Sequence, residues 1–445
     1  MGIMLSSFKR LFSRSEPVLK ITPLHPNVLD LLHLKVTGLL PNEKIKIVAS
    51  LTDQINRTWL SHAIFLGDGK GCVDLSSQAP IGGTYSGVDA MGLFWSMYLQ
   101  NTTDTRAFLH STLEPIITVF YVERADGTRC CETRIERTVT QHKIRKIDIK
   151  EQDIVGYLCL PAGEGPFPGI IILGGSRGGL PAPSFVAQFA DRGYVALGLA
   201  YFNAPGLPEH FVNIPLEYFE KAIYWMTQQK EVAGQQLSIL GQSMGGTAAL
   251  LVGAHFPEIR SVISICGRGI HFQSTYYHGF EQKPQPVFCY REKPLAFLPV
   301  EVPPPTEENE KTAYFLRIFL GALFKASAEM IEQASIRVEK INGPILLFAT
   351  LDDALAGSPF LSGLSYDRLV NHHFSHPFDL IVYNGCGHLI YGLPYTPTTA
   401  QDSPGIPHPL TRPFHLGGIP SCMMRAQVDV WQRIFEFLHT NTINN

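Results

Sequence analysis

The stretch SILGQSMGGTAALLVG, residues 238–253, places one serine between glycines, after an apolar run and before a run of small residues. Its centre, GQSMG at 241–245, has the form G-x-S-x-G, whose glycines permit a sharp strand-to-helix turn that exposes the serine hydroxyl. With 39 glycines in the chain, the pentapeptide alone leaves a structural loop serine as the alternative. The preceding LSIL, typical of a strand, and the following GGTAA, suited to a close-packed helix, favour Ser243 as a nucleophile.

Two later segments carry the acid and the base that a hydrolytic serine requires. GPILLFATLDD ends a predicted strand at Asp352 and Asp353, and FDLIVYNGCGH leads from another strand to His388. The order serine, aspartate, histidine is that of α/β-hydrolases. We therefore predict His388 as general base and one aspartate as its orienting partner, although spacing does not choose between the two aspartates.

An oxyanion would need two backbone N–H groups near the serine. Met244, the residue after the predicted nucleophile, supplies the first by position. The second is expected from the loop LGGSRGGLPAP at 173–183, near Ser176 or Arg177. This loop contains neither G-x-G-x-x-G nor a Walker lysine, so its glycines do not indicate a phosphate-binding loop.

The period of the apolar residues changes along the chain. Short alternating segments predict an immunoglobulin-like all-β sandwich over 19–150, after a flexible segment at 1–18. From Val155 onward, strands alternate with helical stretches, which predicts an α/β domain at 151–440 with a mainly parallel sheet and helices on both faces. Within it, the irregular, proline-rich stretch 291–330 is either a cap over the site or a surface excursion.

Composition excludes several classes of protein. The 445 residues are 45% hydrophobic with a formal net charge of −3, so we expect no nucleic-acid partner. Eight scattered cysteines without paired CxxC spacing argue against zinc ribbons and a disulfide framework, and we expect a reducing, cytoplasmic setting with no metal or cofactor. The longest apolar runs are too short to cross a bilayer, so no membrane span is expected.

The first residues, MGIMLSSFKRLFSRSEP, allow three interpretations. Gly2 and Ser6 fit the myristoylation pattern M-G-x-x-x-[ST]. The acid-free, serine- and arginine-bearing stretch also suits an organelle-targeting peptide. The third interpretation is an unmodified, disordered terminus.

Longer stretches make the sequence resemble the family of type I acyl-CoA thioesterases and bile acid-CoA:amino acid N-acyltransferases. The resemblance covers nearly the whole chain and is carried by GTYSGVDAMGLFWSM, GPFPGIIILGGSRGGL, DRGYVALGLAYFNAPGLPEHFVNIPLEYFEKAIYWM, GCGHLI and AQVDVWQRIFEF. It implies a β-sandwich joined to an α/β-hydrolase domain and an acyl-CoA substrate. It places the family's nucleophile, aspartate and histidine on Ser243, Asp353 and His388. The resembling N-acyltransferases use cysteine, so Ser243 favours water as the acyl acceptor.

The chain departs from the thioesterase pattern beside the site. Those members typically read SKGG at the elbow and GHYIEPPYFP after the histidine, whereas this chain reads SMGG and GHLIYGLPYTP, and its 291–330 stretch looks longer. The phosphates of CoA call for cations, for which Arg177 and Arg268 are candidates. Three other functions remain. They are an acyl-CoA:amino acid N-acyltransferase, an esterase of the carboxylesterase or dienelactone-hydrolase type, since the triad is shared, and a binding protein with an inert hydrolase domain.

Overall fold

The structure is a computed structural model, and residue contacts divide the chain into two compact units. The first comprises Met1–Asp104, Glu114–Val139 and Tyr395–Ala400, and the second the remainder. Residues 1–15, with the predicted acylation or targeting signal, lie outside the described part, whereas the first strand already begins at Val18, the last residue of the predicted flexible segment. The described residues are 16–100, 104–149, 153–275, 284–301, 314–400, 402 and 415–442.

The described residues of the first unit form antiparallel strands and one short helix. Its strands form a three-stranded sheet, β1-β2-β5, and a six-stranded sheet, β6-β4-β3-β8-β9, with β7 paired to β4. The predicted all-β first half is confirmed, while its immunoglobulin-like topology stays a prediction. The elements are β1 Val18–Thr22, β2 His33–Thr37, β3 Lys44–Thr52, β4 Thr58–Leu66, β5 Val73–Asp74, β6 Gly82–Gly83, α1 Gly92–Trp95, β7 Tyr98–Leu99, β8 Ile116–Arg124 and β9 Arg129–Arg137.

The second unit alternates strands with helices, as its sequence pattern predicts. A 3₁₀ turn at Val338–Lys340 precedes β19. The elements are β10 Arg145–Asp148, β11 Gly156–Leu160, β12 Phe167–Leu173, α2 Pro183–Ala190, β13 Val195–Leu199, β14 Ile214–Pro215, α3 Leu216–Thr227, β15 Val232–Gln242, α4 Met244–His255, β16 Ile259–Ile265, β17 Phe288–Tyr290, β18 Lys293–Pro294, α5 Tyr314–Lys325, α6 Ala328–Ala334, β19 Ile345–Thr350, α7 Ser358–Asn371, β20 Phe378–Tyr383 and α8 Pro420–Thr442.

The main sheet brings the ends of the predicted site strands to one edge. Its eight strands run in the order β10-β11-β13-β12-β15-β16-β19-β20. Pairing is parallel from β13 to β20, and antiparallel only between β10, β11 and β13. Strands such as β13, β16 and β19 are nearly fully buried, which explains their continuous apolar runs. The mainly parallel α/β fold is confirmed, and its ligands are expected at the shared carboxyl edge.

Three segments lie in a different unit from the one that the sequence predicts. The sandwich prediction reaches to residue 150, but β10 pairs antiparallel with β11 and is the edge strand of the main sheet. All four β10 residues are exposed, so their polar pattern matches a sandwich strand equally well. Residues 105–113 belong to the second unit and 395–400 to the first, where Arg137 Nη1 donates to the Tyr395 carbonyl at 2.9 Å.

The described part of the irregular 291–330 stretch holds β18 and irregular residues up to 301, and is mainly helical from residue 314. Residues 302–313 lie outside the described part, and α5 follows them. Phe315, Ile318 and Phe319 of α5 pack in one buried cluster with Ile270 and Phe272, which come shortly after β16. The helix therefore lies over residues that follow the carboxyl end of a central strand. Across the described residues, no helix combines the length and the apolar content needed to span a membrane.

Candidate active site

Ser243 stands at a sharp turn between β15 and α4. Its φ of 55° and ψ of −122° are rare for a residue with a side chain, which is strained in this region. The turn is fixed on both sides, because the Ser243 amide donates to the Ile265 carbonyl at 2.7 Å and the Ser243 carbonyl accepts from the Gly246 amide at 2.9 Å. The serine is half-buried, as the strand-turn-helix interpretation of 238–253 predicts.

The flanking glycines of the pentapeptide fit because there is no room for a side chain. A Cβ on Gly241 would lie 1.8 Å from the Gly245 carbonyl oxygen. One on Gly245 would lie 2.4 Å from the Gly174 carbonyl oxygen, in the loop after β12. The two glycines therefore let the strand, the helix and that loop approach one another closely.

Gly241→Ala is expected to destabilise the protein by at least about 2 kcal/mol, because the added methyl group overlaps backbone that cannot move independently. Gly363→Ala is the matched control, since a Cβ there in α7 meets nothing within 4 Å; it should stabilise by up to about 1 kcal/mol through helix propensity. Thermal and urea unfolding of both variants measures the difference. Equal stability of the two variants would contradict the tight-elbow explanation.

The loop after β12 lies against the serine. A Cβ on Gly175 would be 3.2 Å from Ser243 Cβ and 3.7 Å from its Oγ. Tyr201 Oη donates to the Gly174 carbonyl at 2.8 Å and holds the start of this loop. Within the described part of the chain, the amides of Met244, Ser176 and Arg177 donate to no other group, so all three predicted oxyanion donors are available.

Asp353, rather than Asp352, contacts the predicted base. Its Oδ2 lies 2.9 Å from His388 Nδ1, and its Oδ1 accepts from the Leu355 and Ala356 amides at 3.0 and 2.8 Å. Asp352 is exposed. Burial raises the pKa of Asp353, but His388 and the hydrogen bonds outweigh burial and leave that pKa below its ordinary value. The carboxylate is thus ionised at neutral pH and oriented towards the imidazole.

The other imidazole nitrogen is available for chemistry. His388 is 2% exposed, and its Nε2 has no hydrogen-bond partner within the described residues. A buried polar nitrogen without a partner is unusual. With Nδ1 held by the aspartate, Nε2 is the atom that would accept a proton from a nucleophile.

Two neighbours of the histidine are not foreseen from the sequence. Cys266, directly after β16, is buried with a φ of 50°, and Tyr391 meets the His388 ring edge to face at 6.5 Å between centroids. A position after a central parallel strand could have indicated Cys266, since β16 ends at the same edge as β15. Tyr391 carries no comparable pattern.

Three side chains are close enough together to be considered as metal ligands: Cys266, Asp353 and His388. One potential ligand atom of each lies within 4.8 Å of the others. Burial, reinforced by Asp353, raises the pKa of the Cys266 thiol well above its ordinary value, so the thiol stays protonated and is a poor metal ligand. The set does not fit a metal, and it is better explained as the surroundings of the aspartate–histidine pair.

The two arginines proposed for CoA differ in exposure. Arg177 is exposed on the loop after β12, where a phosphate could reach it. Arg268 is buried, with 8% of its surface exposed. Both residues are candidates for binding the phosphates of CoA, and the burial of Arg268 does not suit that role.

Comparison with known families identifies the family of this chain. Residues 214–444 match the model described as BAAT / acyl-CoA thioester hydrolase C terminal, and residues 30–151 match the N-terminal region of the same family. The chain belongs to the BAAT/acyl-CoA thioester hydrolase family. The C-terminal match contains Ser243, Asp353 and His388, and the resemblance predicted from the sequence is confirmed.

Individual members of the BAAT/acyl-CoA thioester hydrolase family align over nearly their full length. Mouse bile acid-CoA:amino acid N-acyltransferase is 29% identical, with 94% of this chain and 96% of that protein covered. Human acyl-coenzyme A thioesterase 6 is 27% identical and mouse acyl-coenzyme A thioesterase 5 is 28% identical, each with 92% of both chains covered. The family thus includes proteins named for hydrolysis and a protein named for transfer to an amino acid.

Proposed function

We propose that this protein is an acyl-CoA thioesterase that hydrolyses acyl-CoA to a free carboxylic acid and CoA through an acyl-serine on Ser243. The observation that carries the proposal is the Asp353–His388 pair at the sheet edge where Ser243 stands on its strained turn. Membership of the acyl-CoA thioester hydrolase family supports the substrate class.

Acylation begins with attack of Ser243 Oγ on the thioester carbonyl, while His388 Nε2 takes the hydroxyl proton. The tetrahedral oxyanion accepts hydrogen bonds from the Met244 amide and from the Ser176 or Arg177 amide, each worth roughly 3 to 4 kcal/mol. Collapse breaks the carbon–sulfur bond, and the proton on His388 passes to the CoA thiolate. Asp353 holds Nδ1 protonated and stabilises the imidazolium.

Deacylation repeats these steps with water as the nucleophile. His388 Nε2 takes a proton from water, the same amides hold the second oxyanion, and Ser243 Oγ leaves with the proton from His388.

Eight unpaired cysteines in the described chain agree with a reducing compartment, and we propose the cytoplasm.

Thiol release measured across acyl-CoAs from short to very long, including branched and bile-acid conjugates, tests the proposal. We expect kcat/KM for the best acyl-CoA to exceed that for any p-nitrophenyl ester by about 10-fold or more, because substrate groups remote from the reacting bond supply binding energy. Esters that turn over much faster than every thioester would make the protein a carboxylesterase.

The N-acyltransferase relative makes the acyl acceptor the second point to test. The same assay with glycine or taurine added is expected to yield free acid and no N-acyl amino acid, measured by mass spectrometry. Amide as the main product would identify an N-acyltransferase instead.

A further inference from the structure

Two cysteines stand side by side in β9, the edge strand of the six-stranded sheet. From Cys131 to Arg137 the strand alternates regularly, because every second side chain is exposed and those between are half-buried or buried. Successive side chains of a strand point to opposite faces, so this alternation predicts that Cys130 is exposed. Cys130 is instead half-buried, like Cys131, and the pair therefore departs from the ordinary alternation.

A β-bulge explains this departure. Val122 of β8 pairs with Cys131, but the next pair along the ladder is Glu123 with Arg129, which makes Cys130 the extra residue of the bulge. An extra residue shifts the alternation by one position and re-aims a side chain. The Cys130 thiol donates to the Val122 carbonyl at 3.3 Å. It therefore lies beside the residue that pairs with Cys131, and both thiols belong to the same part of the sheet surface.

The two thiols influence each other and remain accessible. Burial, and next the neighbouring Cys130, raise the pKa of the Cys131 thiol. Burial also raises the pKa of the Cys130 thiol, so both groups are protonated at neutral pH. Neither side chain is fully buried, which leaves the pair open to a small molecule from solvent. Two adjacent, reduced and reachable thiols are the elements of a dithiol site.

The surroundings add no third protein ligand to this pair. Among the described residues, neither cysteine belongs to a group of three or more cysteine, histidine or carboxylate ligands within reach of one ion. Glu43, whose charge acts on Cys130, accepts from Arg124 Nε at 2.9 Å and from the Leu40 amide at 2.8 Å. Structural zinc is held by four protein ligands. Two sulfur atoms alone instead suit a soft centre that takes only two bonds from the protein.

We propose that Cys130 and Cys131 form a dithiol site for trivalent arsenic, supplied as arsenite or as a monosubstituted arsenous acid. Each thiol hydrogen leaves with one arsenic hydroxyl group as water, so two arsenic–sulfur bonds form while two sulfur–hydrogen and two arsenic–oxygen bonds break. No electron is transferred, and the step needs no oxidant or reductant. The third substituent stays on arsenic and requires no protein group. This inference does not depend on the proposed function.

The test uses phenylarsine oxide, which is a monosubstituted arsenous acid in water, and the full chain, reduced with a phosphine that leaves no thiol in solution. We expect one phenylarsenic unit per chain by intact mass, on the tryptic peptide 130–134, which contains both thiols. Cys130→Ser and Cys131→Ser should each raise the concentration for half-saturation by about 100-fold or more, because a single thiol lacks the second, intramolecular bond.

The matched control is Cys72→Ser. Cys72 is another half-buried, unpaired cysteine of the first unit, and its replacement should leave the concentration for half-saturation unchanged. Equal half-saturation of the unaltered protein and both serine variants of the pair would overturn the proposal. An adduct mainly on a peptide other than 130–134 would overturn it as well.

A second measurement uses only the unaltered protein, so it decides even if a serine variant does not fold. Phenylarsine oxide should protect Cys130 and Cys131 together against iodoacetamide, while Cys72 is alkylated at the same rate with and without it. Dimercaptopropanol should restore alkylation of the pair at a concentration at which mercaptoethanol does not, because only a dithiol replaces both arsenic–sulfur bonds intramolecularly.

Protection of only one cysteine of the pair, or equal release by the two reagents, would overturn the dithiol site. Thioester hydrolysis is not a readout in any of these measurements. The site can therefore be confirmed when no thioester is hydrolysed, and it can fail while Ser243 is confirmed as the nucleophile.

Discussion

Ser243→Ala is expected to reduce kcat for thioester hydrolysis by about 10⁶-fold, the loss typical of removing the nucleophile from a serine triad. The alanine keeps the turn at residue 243 and the available amides of Met244 and Ser176. Binding of acyl-CoA should persist, so the loss should appear in kcat rather than KM. Thiol release under single-turnover conditions, together with mass spectrometry for an acyl adduct, measures both effects.

The control for this variant is Ser50→Ala, another half-buried serine, in β3 of the first unit. It should retain full activity, and the unaltered protein should carry a transient acyl group on the peptide that contains residue 243. Hydrolysis by Ser243→Ala at more than about a hundredth of the original rate would remove Ser243 as the nucleophile.

Asp353→Asn is expected to lower kcat by about 10⁴-fold, while Asp352→Asn leaves it within about 3-fold. An asparagine at 353 offers an amide N–H or a neutral oxygen where the carboxylate accepts from His388 Nδ1, so the imidazole loses its tautomer and the stabilisation of its cation. Asp352 is exposed and lies next to Asp353 in the chain, which makes the pair a matched comparison. The kcat of each variant across pH measures the effect.

The pH dependence distinguishes loss of a charge partner from misfolding. The pKa of Asp353 is below its ordinary value, so its ionised form persists down to pH values below the usual range for a carboxyl group. Asp353→Asn should therefore be impaired throughout the neutral range, with thermal unfolding near that of the unaltered protein. If Asp352→Asn lowered kcat more than Asp353→Asn, the residue that orients His388 would be Asp352.

The order of strands and site residues follows directly from the sequence. Each predicted site residue comes after an apolar run: Ser243, the aspartate pair and His388. In a parallel sheet the carboxyl ends of such strands lie at one edge. The arrangement of Asp353 against His388 at 2.9 Å agrees with that expectation. The choice between the two aspartates came from the family resemblance, because neighbours in a turn are not distinguished by spacing.

The features that the sequence did not predict depend on packing between distant segments. The exposed β10 has a polar alternation that suits the edge of either sheet, so only its pairing with β11 assigns it. Arg268 reads as an ordinary surface arginine, but Phe319 of α5 covers its guanidinium. The burial of Arg268 depends on where α5, in the irregular 291–330 stretch, packs against the main domain. The local spacing of apolar residues does not determine that position.

The strand order also makes hydrolysis a reporter of folding. His388 follows β20, which is separated from the serine-bearing β15 by β16 and β19 in the sheet. Contacts between segments so far apart in the chain close slowly, because each requires a large loss of chain entropy. During refolding, helical circular dichroism should therefore recover before catalysis, and the lag between them would time the docking of the last parallel strand.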